Sequence, residues 1–303
     1  KLGLQDPRAE RRLRGPRPPA PKGPMGHCNC KDGCEGQGGP DIVKVGARQA
    51  IEREERPAHT FDGGVKYVGQ WLGDVRDGDG MQAWPDGSKY TGQFRNNKAE
   101  GQGKFEHMDG HVYEGQWMAD SAHGEGTRTK KDGSSFSGHW VKDKKCGEGD
   151  ESWPDGTTYK GQYKDNSKHG KGSHSWPDGS QYEGNFEDNH IQGEGVYTWA
   201  DGRKYNGQWV KSKMHGEGVF TWPDGKRFRG GYEDDLKSGR GTFEWPDGRE
   251  YAGQWSKGKM HGVGDYTNTD GKEKRGEWSE GKRTRWLEGS AEEATDAEET
   301  IDV

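Results

Sequence analysis

The stretch Tyr205–Gly225, YNGQWVKSKMHGEGVFTWPDG, decides the fold of this chain, because it returns in register every 23 residues. Its first aromatic falls at Tyr67, Tyr90, Tyr113, Phe136, Tyr159, Tyr182, Tyr205, Phe228 and Tyr251, and a tenth copy of the frame reaches Lys274. A fixed period of this length marks a repeat architecture in which each copy is one supersecondary unit. Within a unit the first aromatic, a glycine two positions on and a second aromatic four positions on share one face of a strand. Instances are Tyr67-Gly69-Trp71, Tyr113-Gly115-Trp117, Tyr182-Gly184-Phe186, Tyr205-Gly207-Trp209 and Tyr251-Gly253-Trp255. Two more glycines follow at positions eleven and thirteen, such as Gly216 and Gly218, and then rings at fifteen and seventeen, such as Phe220-Trp222 and Phe243-Trp245. Polar residues such as Glu114, Gln116, Glu183 and Asn185 alternate with them. A period of two specifies strands rather than helices.

The turns agree. Pro-Asp-Gly recurs at 85–87, 154–156, 177–179, 223–225 and 246–248, with Asp-Gly alone at 109–110, 132–133, 201–202 and 270–271. Pro presets φ, Asp bonds its local backbone and Gly accepts positive φ. Within a unit, four or five residues such as Lys211 to His215 are expected to join the two strands. Both connections are then of hairpin length, and the sheet is an antiparallel meander. Glycine ordinarily weakens a strand. Its place on the ring-bearing face predicts that a neighbouring ring lies flat over bare backbone, each ring burying on the order of 150–250 Å². The expected fold is all-β: an elongated single-layer antiparallel β-meander, a ribbon of β-hairpin repeats with disordered termini. Twenty strands at about 4.8 Å spacing would make it roughly 90–100 Å long.

Composition fits an array with two different ends. Only 26% of the 303 residues are hydrophobic, yet every aromatic residue lies between Phe61 and Trp286. Residues 1–24 carry seven basic and two acidic groups, and residues 287–303 carry seven acidic groups and no basic one. Between them, 61–286 hold 34 Lys or Arg against 37 Asp or Glu. Such a near-neutral array lacks the basic stripe of a nucleic-acid binder, and no apolar run approaches the roughly 20 residues of a membrane span. We divide the chain into 1–56, a basic disordered segment with a short helix expected over Asp41–Arg56 and ended by Pro57; 57–286, the array; and 287–303, an acidic disordered tail. Ile301-Asp302-Val303 could offer a carboxylate to a peptide groove.

Met25 opens MGHCNCKDGC, and a start there would make Gly26 the terminal residue after methionine removal. Cys30 stands where a myristoylation signal wants Ser or Thr. Gly26, Cys28 and Cys30 are the candidate acylation sites, and two acyl chains make anchoring stable where one is marginal. A metal reading of His27, Cys28, Cys30 and Cys34 lacks the distant second pair of a structural zinc site, and an unmodified tail is the third reading. No cofactor and no metal are expected.

Before the second glycine pair stand His123, His169, His215 and His261, elsewhere Asp77, Glu100, Cys146, Gln192 and Ser238. Equivalent atoms one unit apart lie about 10 Å from each other, too far to share an ion, so the histidines read as loop hydrogen-bonders. The Gly-x-Gly pairs are followed by neither a helix nor Gly-Lys-Ser/Thr, so they hold no phosphate cradle. Asp74 to Gly80 resembles a calcium loop without its terminal Glu. No nucleophile motif appears, and catalysis is not expected.

The pattern Y-x-G-x-W…H-G-x-G…D-G over residues 61–286 resembles the MORN (membrane occupation and recognition nexus) repeat. The resemblance implies rods or curved ribbons of β-hairpins, as in junctophilins, radial-spoke head proteins of cilia, plant phosphatidylinositol-phosphate kinases and protist cytoskeletal scaffolds. It implies either protein scaffolding with self-association or phospholipid binding. Departures sit at the ends: Lys274 for the first aromatic, Asn268 for the usual Trp, Gly63-Gly64 for Asp-Gly, as capping of a repeat array requires. The expectation is a non-enzymatic scaffold that binds proteins at a membrane or cytoskeletal structure, cytoplasmic and either membrane-anchored or associated with cytoskeleton or cilium. The alternatives are a phospholipid-binding targeting module, disfavoured because anionic membranes attract local basic clusters, and a regulatory fragment related to the phosphatidylinositol-phosphate kinases. The 17 residues after Trp286 cannot hold a kinase domain.

Overall fold

The structure, a computed structural model, describes residues 52–287. They form one antiparallel sheet of 21 strands. Each strand pairs with its neighbours in sequence, from β1 (Glu54–Thr60) at one edge to β21 (Lys282–Trp286) at the other. Ten hairpins account for twenty strands, and β1 is one more than the period predicts.

The hairpin β14 (Lys204–Val210) with β15 (Lys213–Thr221) shows how one unit folds. Tyr205 pairs with Phe220 and Gly207 with Gly218; then the register slips, and Gln208 faces His215. The slip leaves Gly216 and Glu217 as a bulge on β15. Gly216 has φ of +59°, the left-handed conformation that suits glycine at such a bulge. The pairing of β15 with the next strand, β16 (Arg227–Glu233), runs without a slip from Gly216–Tyr232 to Thr221–Arg227.

The turn inside the unit is shorter than expected. It is Lys211-Ser212 alone, with φ of +49° and +64°, a type I′ turn whose twist matches that of the flanking strands. Lys213, Met214 and His215 belong to β15. The stretch lacks the Asn-Gly signature of this turn, so the sequence concealed it. Successive tight turns are tied together: Ser212 N donates to Ile191 O at 2.9 Å, and Ser212 Oγ accepts from Ile191 N at 3.1 Å. The longer turn between units closes as Pro-Asp-Gly predicts. Trp222 N donates to Lys226 O and Gly225 N to Trp222 O, both at 3.0 Å, with Asp224 Oδ1 accepting from Lys226 N.

At the first edge the expected helix over Asp41–Arg56 is corrected where it can be seen: Glu54, Glu55 and Arg56 lie in β1, paired with Trp71, Gln70 and Gly69 of β2 (Lys66–Leu72). The sheet therefore begins before residue 57, and Pro57 sits inside a strand. Pro is tolerated there because an edge strand presents unpaired donors to solvent. Helix propensity loses to the unpaired edge of β2 and to ring packing, His59 and Phe61 lying 5.7 and 6.2 Å from Trp71. At the other edge the tenth hairpin forms although Lys274 replaces the aromatic. Trp278, 2% exposed, lies against the space above Gly276 and meets Trp286 edge-on at 6.1 Å. No helix long and apolar enough to cross a membrane occurs among the described residues.

Candidate functional site

The ring-and-glycine face is the core of this sheet, and the depth of burial follows from the glycines. Tyr67, Tyr182, Tyr205 and Tyr251 are all fully buried. A Cβ placed on Gly218 would stand 2.4 Å from the Tyr205 ring, and one on Gly80 would stand 2.6 Å from that of Tyr67. The cross-strand glycine pair is the floor on which each ring lies. Each Tyr Oη reaches past it to the carbonyl three residues on: Gln70 for Tyr67, Asn185 for Tyr182, Gln208 for Tyr205 and Gln254 for Tyr251, at 2.9–3.0 Å. Burial pushes the Tyr205 and Tyr251 hydroxyls up, the latter to about 12, so all remain protonated donors at neutral pH.

The second aromatic locks consecutive units together. Indole Nε1 donates to a glycine carbonyl of the preceding unit: Trp117 to Gly103 at 3.0 Å, Trp209 to Gly195 at 3.2 Å and Trp255 to Gly241 at 3.1 Å. Rings meet edge to face within a unit, as Tyr205–Trp209 at 5.0 Å, and between units, as Tyr182–Trp209 at 5.8 Å. Such pairs add about 0.5–1.5 kcal/mol beyond area burial. Trp71, Phe186, Trp209 and Trp255 are buried with the tyrosines, whereas Trp117 is half-buried.

Two sets of contributing residues were not singled out from the sequence. Gln follows the first glycine in six units, and its amide spans the bulge. Gln70, Gln116 and Gln208 Oε1 accept from the backbone N of Asp79, Glu125 and Glu217 at 2.9–3.1 Å. The second set fills the slot nine residues after the first aromatic: Arg76, Ala99, Ala122, Lys145, Lys168, Ile191, Met214, Lys237, Met260 and Arg283. These side chains cover the rings. Lys237 Nζ lies 4.5–5.2 Å from the ring centres of Trp222, Phe228, Phe243 and Trp255. Loss of hydration there, with Lys226 adding a like charge, lowers its pKa to about 7. Ring faces attract the cation by about 0.5–2 kcal/mol, which offsets only part of that cost. Both sets show in the aligned units as columns, and only the alternation of faces, not their contacts, is readable without coordinates.

In the centre the cover is polar. Lys145 pairs with Glu151, both side chains nearly buried, and Tyr163 Oη donates to Glu151 at 2.7 Å. Lys168 Nζ lies 2.9 Å from His174 Nδ1 and over the rings of Trp153 and Tyr159. Burial brings Lys168 down to about 8. Burial, helped by the Lys168 charge, brings His174 down to about 3, so the imidazole is neutral and accepts from the ammonium.

The rim ring at position seventeen is less covered. Trp153, Trp176, Trp199 and Trp222 are partly exposed, while Trp245 is buried. His123, His169, His215 and His261 are not in loops. They stand within strands at the bulge, and Nδ1 of His123 and of His169 is buried without a hydrogen-bond partner. No group of three or more potential metal ligands occurs among the described residues. Two concavities there are wide open to solvent, one lined by His215, Tyr232 and Arg240, the other by Gln93, Gln116 and His123. Gly26, His27, Cys28, Cys30, Cys34 and residues 301–303 lie outside the described residues.

The MORN repeat model matches nine consecutive segments, 67–89, 90–112, 113–135, 136–158, 159–181, 182–202, 205–227, 228–248 and 251–273. This chain belongs to the MORN repeat family. MORN repeats build scaffolds and protein- or membrane-binding modules and are generally non-catalytic. No curated protein matches the chain. Among solved structures, the TCP domain of SAS-4 (dCPAP) of Drosophila melanogaster is 12% identical, covering 62% of this chain and 95% of that one with a TM-score of 0.31. The TCP10 domain of Danio rerio CPAP is 12% identical, covering 78% and 100%, with a TM-score of 0.26. A streptogramin B lyase is 7% identical, covering 75% and 87%, with a TM-score of 0.15. Scores this low relate the MORN array to none of them.

Proposed function

We propose that this MORN-repeat chain is a non-enzymatic scaffold that holds protein partners against its array at a membrane or cytoskeletal structure, a cilium being one such setting. The observation that carries the reading is the use made of the repeat: rings, glycines and tyrosine hydroxyls are consumed in the core, and what varies from unit to unit is the covering layer of slot-nine side chains and rim tryptophans. Variation there changes a surface without changing the fold. Acylation at Gly26, Cys28 or Cys30 would place the scaffold on a membrane, and the array itself, near neutral in charge, would face proteins; a second copy of the array is one such partner.

The scaffold reading is tested by co-sedimentation of the protein with vesicles of neutral and of anionic lipid, before and after removal of residues 1–51. Binding that disappears with residues 1–51 supports it. Salt-sensitive binding to anionic vesicles that survives their removal overturns it in favour of a phospholipid-binding array. Mass spectrometry of the cellular N-terminus tests the anchor: lipid on Gly26, Cys28 or Cys30 is the expected result, and an unmodified N-terminal segment removes the membrane placement.

A further inference from the structure

The bridging glutamine is missing from the unit of Phe228, and the space it leaves has a definite shape. In six units that Gln folds over the bulge glycine of the paired strand. A Cβ built on any of those six glycines, Gly216 among them, would stand 1.8–2.1 Å from the Gln Oε1. The same oxygen of Gln70, Gln93, Gln116, Gln162 and Gln208 accepts from the next backbone N at 2.9–3.1 Å. Where Asn185 or His139 replaces Gln, a side-chain atom still lies 3.4 Å from a Cβ on Gly193 and 3.6 Å from one on Gly147. In the unit of Phe228 the position is Gly231, and nothing lies within 4 Å of a Cβ on Gly239.

The result is a notch of about 300 Å³, wide open to solvent, to which Glu217, Gly231, Glu233, Ser238, Gly239 and Arg240 contribute, with His215 at its side. Gly231 stands between the ring-face residues Gly230 and Tyr232 of β16, so the notch opens on the face opposite the rings. Glu217 of β15 is paired with Gly231. Arg240 lies on the other side, in β17 (Leu236–Glu244). The Glu217 and Arg240 backbones are thus two strand spacings apart, about 10 Å, and neither side chain has an ion pair among the described residues. Ser238 Oγ donates to Glu233 Oε2 at 3.4 Å.

The six filled units define what fits. An oxygen above the bulge glycine accepts from the next backbone N, which here is that of Arg240. Glu217 and Glu233 set two carboxylates against the one guanidinium of Arg240, so an anionic oxygen meets like charge at the mouth. A carboxamide meets both requirements, because its oxygen accepts, its NH2 group donates and it is neutral. We propose that the notch over Gly239 binds the side-chain carboxamide of a glutamine presented by a protein partner, with its oxygen toward Arg240 N and its NH2 group toward the Glu217 carboxylate. The proposal deepens the scaffold reading and rests on it: the partner's glutamine completes the row that Gln208 and Gln254 hold one unit to either side.

The test is an amide chemical-shift titration of the isotopically labelled full-length protein with three capped amino acids. These are N-acetyl-glutamine methylamide, its glutamate counterpart and its alanine counterpart, which carries backbone amides alone. The glutamine compound is expected to shift the Gly239 and Arg240 amides saturably, in the millimolar range that suits so few atoms. It should bind about fivefold more tightly than the glutamate compound, and the alanine compound should not saturate. Gly231→Gln supplies the missing side chain from within and should abolish the response. A Cβ there would stand 2.4 Å from Ser238 O, so a second variant guards against misfolding: Gln208→Ala opens an equivalent notch and should add a response at the Glu217 amide. The proposal is overturned by no saturable shift at Arg240, by equal or tighter binding of the glutamate or alanine compound, by a response undiminished in a Gly231→Gln protein that still melts cooperatively, or by no response at Glu217 in Gln208→Ala. Each of those outcomes leaves the scaffold reading to the vesicle experiment.

Discussion

Two stretches of this sheet share one frame and differ in what covers it. In the two units from Phe136 to Trp176, slots nine and fifteen hold Lys145 with Glu151 and Lys168 with His174. From Tyr182 to Tyr266 the same slots hold Ile191 with Tyr197, Met214 with Phe220, Lys237 with Phe243 and Met260 with Tyr266. Beneath both, a ring lies on a glycine pair, Phe136 on Gly149 and Tyr205 on Gly218. The difference teaches that the frame tolerates either cover, because ring, glycine and turn already fix the register. A buried ion pair and an apolar pair of similar volume contribute comparably, the desolvation cost offsetting much of the Coulomb gain. Slots nine and fifteen are therefore free to set surface chemistry.

The sharpest way to break the comparison is to leave the centre half-polar. Glu151→Ala removes the carboxylate that Lys145 and Tyr163 both bind, and should cost about 3–5 kcal/mol in chemical denaturation. Converting the centre to its neighbour's cover, with Lys145→Met, Glu151→Phe and Tyr163→Phe together, should instead be neutral or stabilise by about 1–4 kcal/mol.

Gly172→Ala and Gly218→Ala test the shared frame. Each places a methyl group 2.4–2.7 Å from a tyrosine ring, and each should cost about 1–3 kcal/mol or more. Equal costs in thermal melts support one frame, and a cost confined to one region contradicts it.

A pH effect belongs to Lys237. Its pKa, near 10 when unfolded, is lowered to about 7 when folded, so between those values the unfolded chain binds more protons and stability rises with pH. Lys237→Met, copying Met214 and Met260, should raise the melting temperature at pH 6 and reduce the rise between about pH 7 and 9.5. The smallest effect expected is that of Tyr205→Phe. It removes the hydrogen bond to Gln208 O and should cost no more than about 1 kcal/mol, since Phe136 and Phe228 fill the same slot.

Much of this was legible in the sequence for reasons that the exceptions clarify. The period, the Pro-Asp-Gly turns and the rings over glycine follow from steric facts about single residues, and the structure shows each. The turn at Lys211-Ser212 is expected to be longer because neither residue advertises positive φ, and Glu54–Arg56 at the start of β1 fall in the expected helix because Ala and Glu signal propensity while the edge of β2 that they cover lies elsewhere in the chain. The cage around Lys237 needs rings from four strands or turns, from Trp222 to Trp255, and no local pattern announces it. The acylation reading of Gly26, Cys28 and Cys30 rests on the sequence alone.

The central claim, one frame under two covers, is tested most directly by hydrogen–deuterium exchange of the free protein resolved by strand. One frame predicts protection throughout residues 66–279, to a similar extent in the centre and in residues 190–267. Protection confined to one of the two stretches would contradict it.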